Sequence, residues 1–199
     1  LQEARRLDTL SRQLAALEPV ALLSGNLPPT RSSMDAARAH SSQLRRQMIA
    51  SQEELDWRCY RLYGLLSADE VGIDLEWPAP IEVALGERAF EIVLARRMST
   101  GHERTTWFEH HGSMPVLDIP AHWPEGYRRI VAHRIDLIER SKFIGLIERP
   151  EFKRRWSWPQ WDVQEQAALR ARLLDRLEAP VLWPASSDQP PQLTSTSRL

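Results

Sequence analysis

No proline interrupts residues 32–66, and the only glycine there, Gly64, comes at the end. Such a stretch is predicted to form one long helix from Ser32 to Leu66, and that helix limits what the rest of the chain can do. At about 100° per residue, Ala37, Ser41, Leu44, Met48, Ser51, Leu55, Cys59, Leu62 and Leu66 fall in one narrow band, the spacing of a coiled-coil seam. So narrow a seam needs only one partner. From Trp57 onward a second face appears, carrying Trp57, Tyr60, Tyr63 and Gly64, while Arg58 and Arg61 share a third. This end is predicted to enter a globular body.

Leu7, Leu10, Leu14 and Leu17 repeat at the same spacing and predict an amphipathic helix over residues 2–18, stopped by Pro19. A break rich in Gly, Asn and Pro follows from Leu23 to Thr30, after which Ser32 and Asp35 resemble a capping box. Two helices so joined fold back antiparallel, and the shorter covers only part of the longer one's seam. The expected fold is mainly α: a helical hairpin forming a coiled-coil-like stalk over residues 1–66, an irregular, mostly helical head over 67–183 with room for a short strand or two, and a disordered tail over 184–199.

Within the head, Ser67 to Pro80 reads as a loop in which Val71, Ile73, Leu75 and Trp77 alternate well enough for a short strand. Ala84 to Met98 is predicted helical, with Leu85, Ala89, Ile92 and Val93 inward and Gly101 near its close. Thr105 to Pro120 gives no clear element; its Thr-Thr-Trp-Phe is compatible with a strand and its His-His-Gly-Ser-Met-Pro with a turn. Pro124 opens a helix to about Arg140 with Tyr127, Ile130, Val131, Ile135 and Ile138 inward. Pro159 opens the last helix, to Glu178, with Leu169, Leu173, Leu174 and Leu177 as its buried stripe. Past Pro184 the composition is that of a disordered segment.

The 199 residues are enough for one domain, or for one domain with an appendage, and 26 basic against 27 acidic side chains leave no global field for nucleic acid. Any such contact must come from a local patch. The one cysteine, Cys59, excludes an internal disulfide and a Cys-based zinc site, and fits a reducing, cytoplasmic setting. No apolar run is long enough for a membrane span, and no signal peptide is recognisable. A start at Leu1 and an end at Thr-Ser-Arg-Leu read as a segment of a longer protein.

The densest chemical cluster runs from Arg140 to Trp161. Arg140, Lys142, Arg149, Lys153, Arg154 and Arg155 against Glu148 and Glu151 give a local surplus of four positive charges, interleaved with Phe143, Phe152, Trp156, Trp158 and Trp161. Phosphate contacts need cations whose stems are held, and arginine beside a tryptophan face supplies both. Arg149, Lys153, Arg154 and Arg155, with Trp156 and Trp158 in support, are therefore candidate DNA-binding residues. The competing reading places the aromatics in the core and pairs the arginines with Glu148, Glu151 and Asp162.

Other patterns carry less. Glu151-Phe152-Lys153 matches the end of a PD-(D/E)xK nuclease signature, but Pro150 precedes it and no Asp stands upstream at strand spacing. His102, His110, His111, His122 and His133 form no helical i, i+4 pair, so no metal site is expected. Ser113 and Cys59 are isolated, with Cys59 on the leucine band. Asn26-Leu27-Pro28-Pro29 has neither the order nor the aromatic of the Asn-Pro-Pro-aromatic motif of amino-methyltransferases, and the eight glycines are scattered rather than gathered into a cofactor loop.

Three blocks taken together resemble a known family. They are Glu53-Glu54-Leu55-Asp56-Trp57-Arg58-Cys59-Tyr60-Arg61-Leu62-Tyr63-Gly64-Leu65-Leu66, Ile81-Glu82-Val83-Ala84-Leu85-Gly86-Glu87-Arg88-Ala89-Phe90-Glu91-Ile92, and Gly145-Leu146-Ile147-Glu148-Arg149-Pro150-Glu151-Phe152-Lys153-Arg154-Arg155-Trp156. Their order and residues resemble the PglX proteins, adenine-specific DNA methyltransferases of BREX (phage growth limitation) defence, in the type 2 form. The resemblance covers about Leu44 to Pro184.

That resemblance implies a parent enzyme that moves a methyl group from S-adenosylmethionine to adenine N6 in duplex DNA, flipping the base to reach it and marking self DNA as restriction-modification enzymes do. By the same resemblance, the segment is expected to lie after the methyltransferase and target-recognition regions. It carries no catalytic residue and no cofactor of its own. Its expected partners are duplex DNA, the other domains of the methyltransferase and other BREX proteins, and no membrane. A second reading is a protein-interaction module that docks through the half-covered seam at Leu44, Met48 and Leu55; a third, an independent nuclease using Glu151.

Overall fold

The computed structural model describes residues 2–25, 27–66, 70, 75–77 and 79–179. The fold is mainly α, as the periodicities predict, and no strand occurs among the described residues. The helices are α1 (Gln2–Ala16), α2 (Pro19–Leu23), α3 (Arg31–Leu62), α4 (Ala89–Ser99), α5 (Trp107–His110), α6 (Glu125–Arg140), α7 (Lys142–Ile147) and α8 (Trp161–Leu177), with a 3-10 turn at Pro150–Phe152. The chain divides into two compact units, residues 1–13 with 42–158, and residues 14–41 with 159–199. α3 contributes its beginning to the second unit and the rest to the first. Most of the strand expected from Val71 to Trp77, and the whole of the tail expected to be disordered, lie outside the described residues.

The long helix is real, and both of its ends have local causes. It starts one residue earlier than predicted because Thr30, not Ser32, caps it: the Ser33 amide donates to Thr30 Oγ1 at 3.2 Å. It ends at Leu62 because Gly64 takes a left-handed φ of +66°. Leu65 N then reaches Tyr60 O at 2.9 Å and Gly64 N reaches Arg61 O at 3.1 Å, the paired bonds of a Schellman stop. The predicted seam is buried from Ala37 through Ser41, Leu44 and Met48 to Ser51, and half-buried at Leu55 and Cys59. Trp57 enters the core as expected, but Leu62 and Tyr63 are exposed, so the last turn does not plunge into the body.

In the first unit, α4 packs on α6 and α6 on α7. Tyr127, Ile130, Val131, Ile135 and Ile138 of α6 face inward as predicted, together with Arg134 and Leu137. α4 begins at Ala89 rather than Ala84. Glu91 accounts for the shift, its Oε2 accepting from the amides of Gly86 at 2.8 Å and Arg88 at 3.2 Å, which closes a turn ahead of the helix. Thr-Thr-Trp-Phe is compatible with a strand by sequence, but the two threonines precede one helical turn, α5, and Trp107 at its start donates its indole N–H to Glu91 Oε1 at 2.9 Å.

Gly86 makes that turn possible. Its φ is +95°, and a Cβ there would collide with the Met114 carbonyl oxygen. Gly86→Ala is expected to destabilise the protein by about 1–3 kcal/mol. Equilibrium urea unfolding measures this directly, and a loss below about 0.5 kcal/mol would remove the turn from the determinants of the fold.

In the second unit, α2 packs on α8, and Met34, Ala37 and Trp161 form a small core with Leu17 and Leu22 against it. Arg31 pairs with Glu165 at 2.7 Å, Arg38 grips Asp162 through two bonds, and the Arg172 guanidinium caps the Leu23 and Gly25 carbonyls. The stripe predicted for α8 is not the buried one. Trp161, Glu165 and Ala168 are buried, whereas Leu169, Leu173 and Leu174 are each about half exposed. One indole and its bond to Glu165, at 2.8 Å, decide which way the helix turns.

Candidate functional site

The basic-aromatic stretch is built from three short pieces of the first unit. Ser141 caps α7, the 3-10 turn follows with Pro150 at its start, and from Lys153 the backbone is extended (φ −90°, ψ 146°). Its inward side chains, Lys153 and Trp156, are three residues apart, the repeat of a polyproline-like segment rather than a β-strand. The candidate DNA-binding residues therefore separate. Arg149, Arg154 and Arg155 are exposed, Trp158 is half-buried, and Lys153 and Trp156 are buried.

Lys153 cannot offer its charge to a phosphate in this arrangement, which corrects the expectation drawn from the sequence. Its Nζ lies 2.7 Å from Asp56 Oδ2 and 2.8 Å from Glu148 Oε1, with its side chain only 2% exposed. The Tyr60 hydroxyl donates to the same Glu148 oxygen at 2.6 Å. Burial alone would lower the lysine's pKa, but Glu148, Glu53, Asp56 and Tyr60 together raise it well above the ordinary value, so it stays charged. Burial raises the pKa of Glu148, against the pull of Lys153 and with the push of Glu53.

This pair belongs to a larger buried network. Arg88 holds Glu91 at 2.7 Å, and Arg134 reaches both oxygens of Glu54 at 2.8 Å each. Burial would raise the pKa of Glu53, yet Lys153, Arg134, Arg88 and the Trp57 indole N–H outweigh it and hold Glu53 below the usual carboxylate value. Five carboxylates, Glu53, Glu54, Asp56, Glu91 and Glu148, thus surround three cations, Arg88, Arg134 and Lys153. Sequence reasoning missed this network. A readable sign of it was Arg134, which falls in phase with Tyr127, Ile130, Val131 and Ile138 on an otherwise apolar stripe, where a charge needs a buried partner.

The network fixes the segment that carries the arginines. Lys153 is pegged to Asp56 of α3 and to Glu148, the residue that closes α7, and Arg88 Nη1 donates to the Arg154 carbonyl at 3.1 Å. Outside the peg, the Arg154 guanidinium sits 4.4 Å above the Trp156 ring, Trp156 and Trp158 lie 5.4 Å apart and tilted by 32°, and Arg45 of α3 sits 4.9 Å above Trp158. Arg45, absent from the sequence-based set, completes a stack of two guanidiniums and two indoles. Such stacking holds an arginine's stem without neutralising its charge. Arg149, Arg154 and Arg155 form no salt bridge among the described residues, and Asp162, once a possible partner, is held by Arg38.

The other candidates are also placed. Leu44 and Met48 are buried within the fold and Leu55 is half-buried, the positions of core side chains. Glu151 and Phe152 are exposed while Lys153 is buried, so the nuclease-like triplet lies on a 3-10 turn with its acid and its lysine on opposite sides. His111 lies against the Trp107 ring at 4.0 Å. Among the described residues no three His, Cys, Asp or Glu side chains gather as metal ligands, and no helix is long and apolar enough to cross a membrane. The glycines with positive φ, Gly64, Gly86, Gly101 and Gly112, sit in four separate turns.

Comparison with known proteins agrees with the three-block resemblance. Residues 48–199 match the family described as a domain of unknown function, DUF7008. The chain is 47% identical over 189 residues to the adenine-specific methyltransferase PglX of Streptomyces coelicolor, an alignment covering 94% of this chain and 16% of the relative. The chain therefore spans about one sixth of the length of the curated relative it matches. The similarity reaches farther than the stretch from Leu44 to Pro184 that the three blocks cover. No solved structure matches.

Proposed function

From the premise that this chain belongs to the DUF7008 family, and from its similarity to a segment of PglX, we propose that it is a non-catalytic part of an adenine-specific DNA methyltransferase of BREX-type phage defence, where it positions the other domains and contacts the DNA backbone. The observation that carries the DNA contact is the pegged segment bearing Arg149, Arg154 and Arg155, exposed and without acidic partners among the described residues. Phosphate recognition needs fixed cations and no particular base edge, and this surface offers the first without the second. The parent's methyl transfer from S-adenosylmethionine to adenine N6 then belongs to residues outside this chain. Its setting is cytoplasmic, beside the other BREX proteins.

Fluorescence-anisotropy titration of a labelled duplex with the chain, over a series of salt concentrations, tests the contact. Binding should weaken steeply with salt, and replacing Arg149, Arg154 and Arg155 together by Ala should reduce the log–log slope by roughly 2–3, since each lost phosphate contact removes about 0.9. An unchanged slope, or no binding at low salt, would count against it.

The last helix favours a second reading, a scaffold. Leu169, Leu173 and Leu174 expose an apolar face on the side of α8 away from Trp161, Glu165 and Ala168. The occupant we assign to it is the remainder of the parent polypeptide, because roughly five sixths of the matched relative's length lies outside the aligned part. A failure of DNA binding would leave this as the segment's main role.

A further inference from the structure

A row of exposed side chains runs down the outer face of the basic-aromatic stretch. Phe143, Leu146, Arg149 and Phe152 stand at intervals of three residues, and successive turns join them. α7 carries the first two, the Arg149 amide donates to the Leu146 carbonyl at 3.3 Å, and the Phe152 amide donates to the Arg149 carbonyl at 3.0 Å. Turns of this kind bring the Cα atoms they join within about 7 Å. The row faces outward because the other side of α7 is taken. Ile144 is buried, and Gly145 lies so near α6 that a Cβ there would stand 2.7 Å from the Ile138 carbonyl oxygen.

Two properties meet in this row. Phe143 is 71% exposed and Phe152 66%, large rings left in water by a fold that buries Trp156 and lays Arg154 over it. Around them Lys142, Arg149, Arg154 and Arg155 are exposed and form no salt bridge among the described residues, and Glu151 is the one exposed acid between Lys142 and Arg155. Exposed rings alone would suit partners of many kinds. Rings set among uncompensated cations suit a polyanion that also presents flat apolar faces. A DNA duplex is such a polyanion, but its base faces are stacked inside; in a single strand they are open and stack on aromatic side chains.

We propose, on the basis of the DNA contact above, that this row binds single-stranded DNA, with Arg149 and its neighbouring cations on the phosphates and bases stacked on Phe143 and Phe152. Charge alone favours the duplex, where each phosphate contact contributes a log–log salt slope of about 0.9 against about 0.7 on a single strand. A preference for the single strand therefore reads the rings.

The test titrates the 199-residue chain by fluorescence anisotropy against three labelled probes of about 15 nucleotides at one salt concentration: an oligothymidylate, the same strand with its bases removed, and a duplex. The oligothymidylate should bind at least about threefold more tightly than the duplex and about tenfold more tightly than the abasic strand. Replacing Phe143 and Phe152 together by Ala should weaken oligothymidylate binding about tenfold and duplex binding less than about twofold. Both rings are exposed, so this variant keeps the fold, and replacing both by Tyr, which preserves the flat faces, should retain the wild-type affinity. Equal binding of the oligothymidylate and the abasic strand, or wild-type binding of the oligothymidylate by the Ala variant, overturns the proposal. Duplex binding that survives either result leaves the backbone contact standing alone, whereas no binding of any probe at low salt removes both.

Discussion

Lys153→Met should destabilise the protein by about 3–5 kcal/mol, because it removes the one cation bonded to Glu148 among the described residues and leaves that carboxylate buried with Asp56 beside it. In a chain of this size that corresponds to a fall in melting temperature of roughly 6–20 °C. The methionine keeps most of the lysine's length and apolar stem, so lost packing contributes little. Adding Glu148→Gln should restore part of the loss, since a neutral amide no longer needs a counter-ion; the two substitutions are then non-additive, which a double-mutant cycle measures. A Lys153→Met variant that melts within about 2 °C of the wild type would mean the peg is dispensable. In that event the arginines of the same segment would need another reason for their fixed positions.

Arg134→Ala should have a comparable effect, about 3–5 kcal/mol, through the second half of the network. The guanidinium is completely buried, bonds both oxygens of Glu54, donates to the Leu75 carbonyl at 3.1 Å, and lies 5.4 Å from the centre of the Trp57 ring. Glu54 in turn accepts from the Trp77 amide at 2.8 Å, so one arginine joins α6, α3 and the segment at residues 75–77. Arg134→Lys keeps the charge but not the planar fork, and its loss should be smaller.

The pH dependence of Arg134→Ala has a definite sign. Burial raises the Glu54 pKa above its ordinary 4.5 even though Arg134 pulls it down, so the folded state binds that proton more tightly than the unfolded chain. Such a group stabilises the fold below its unfolded value, and the contribution is lost as the pH rises through the folded one. Removing Arg134 takes away the downward pull and widens that window upward. The deficit of the variant should therefore be small where Glu54 is protonated in both states, below pH 4.5, and should grow as the pH rises above it. Urea unfolding at a series of pH values measures the difference, and a deficit independent of pH would assign the loss to packing rather than to the buried charge.

Local chemistry alone decides a good deal here. The proline-free run predicts α3, and the inward stripe of α6 is legible from Tyr127 to Ile138, because helix periodicity depends on neighbours a few residues away. The predicted end of α3 at Leu66 lies four residues too far, because Gly64 reads as part of the last turn rather than as its left-handed stop. The three sequence blocks also indicate the family. What sequence could not supply was the side on which each amphipathic or charged residue falls when more than one face is apolar. α8 offered leucines and a tryptophan, and the large indole with its bond to Glu165 took the buried side. Charge count made Lys153 equal to Arg149, Arg154 and Arg155, yet only tertiary packing brings Asp56, distant in sequence, within 2.7 Å of its ammonium. The same packing lays Arg45 over Trp158. A buried ion pair and a stacked guanidinium depend on distances between elements far apart in the chain, which no local pattern encodes, so the sequence by itself determines the longer helices and the family while tertiary structure decides the short helical turns and which cations face solvent.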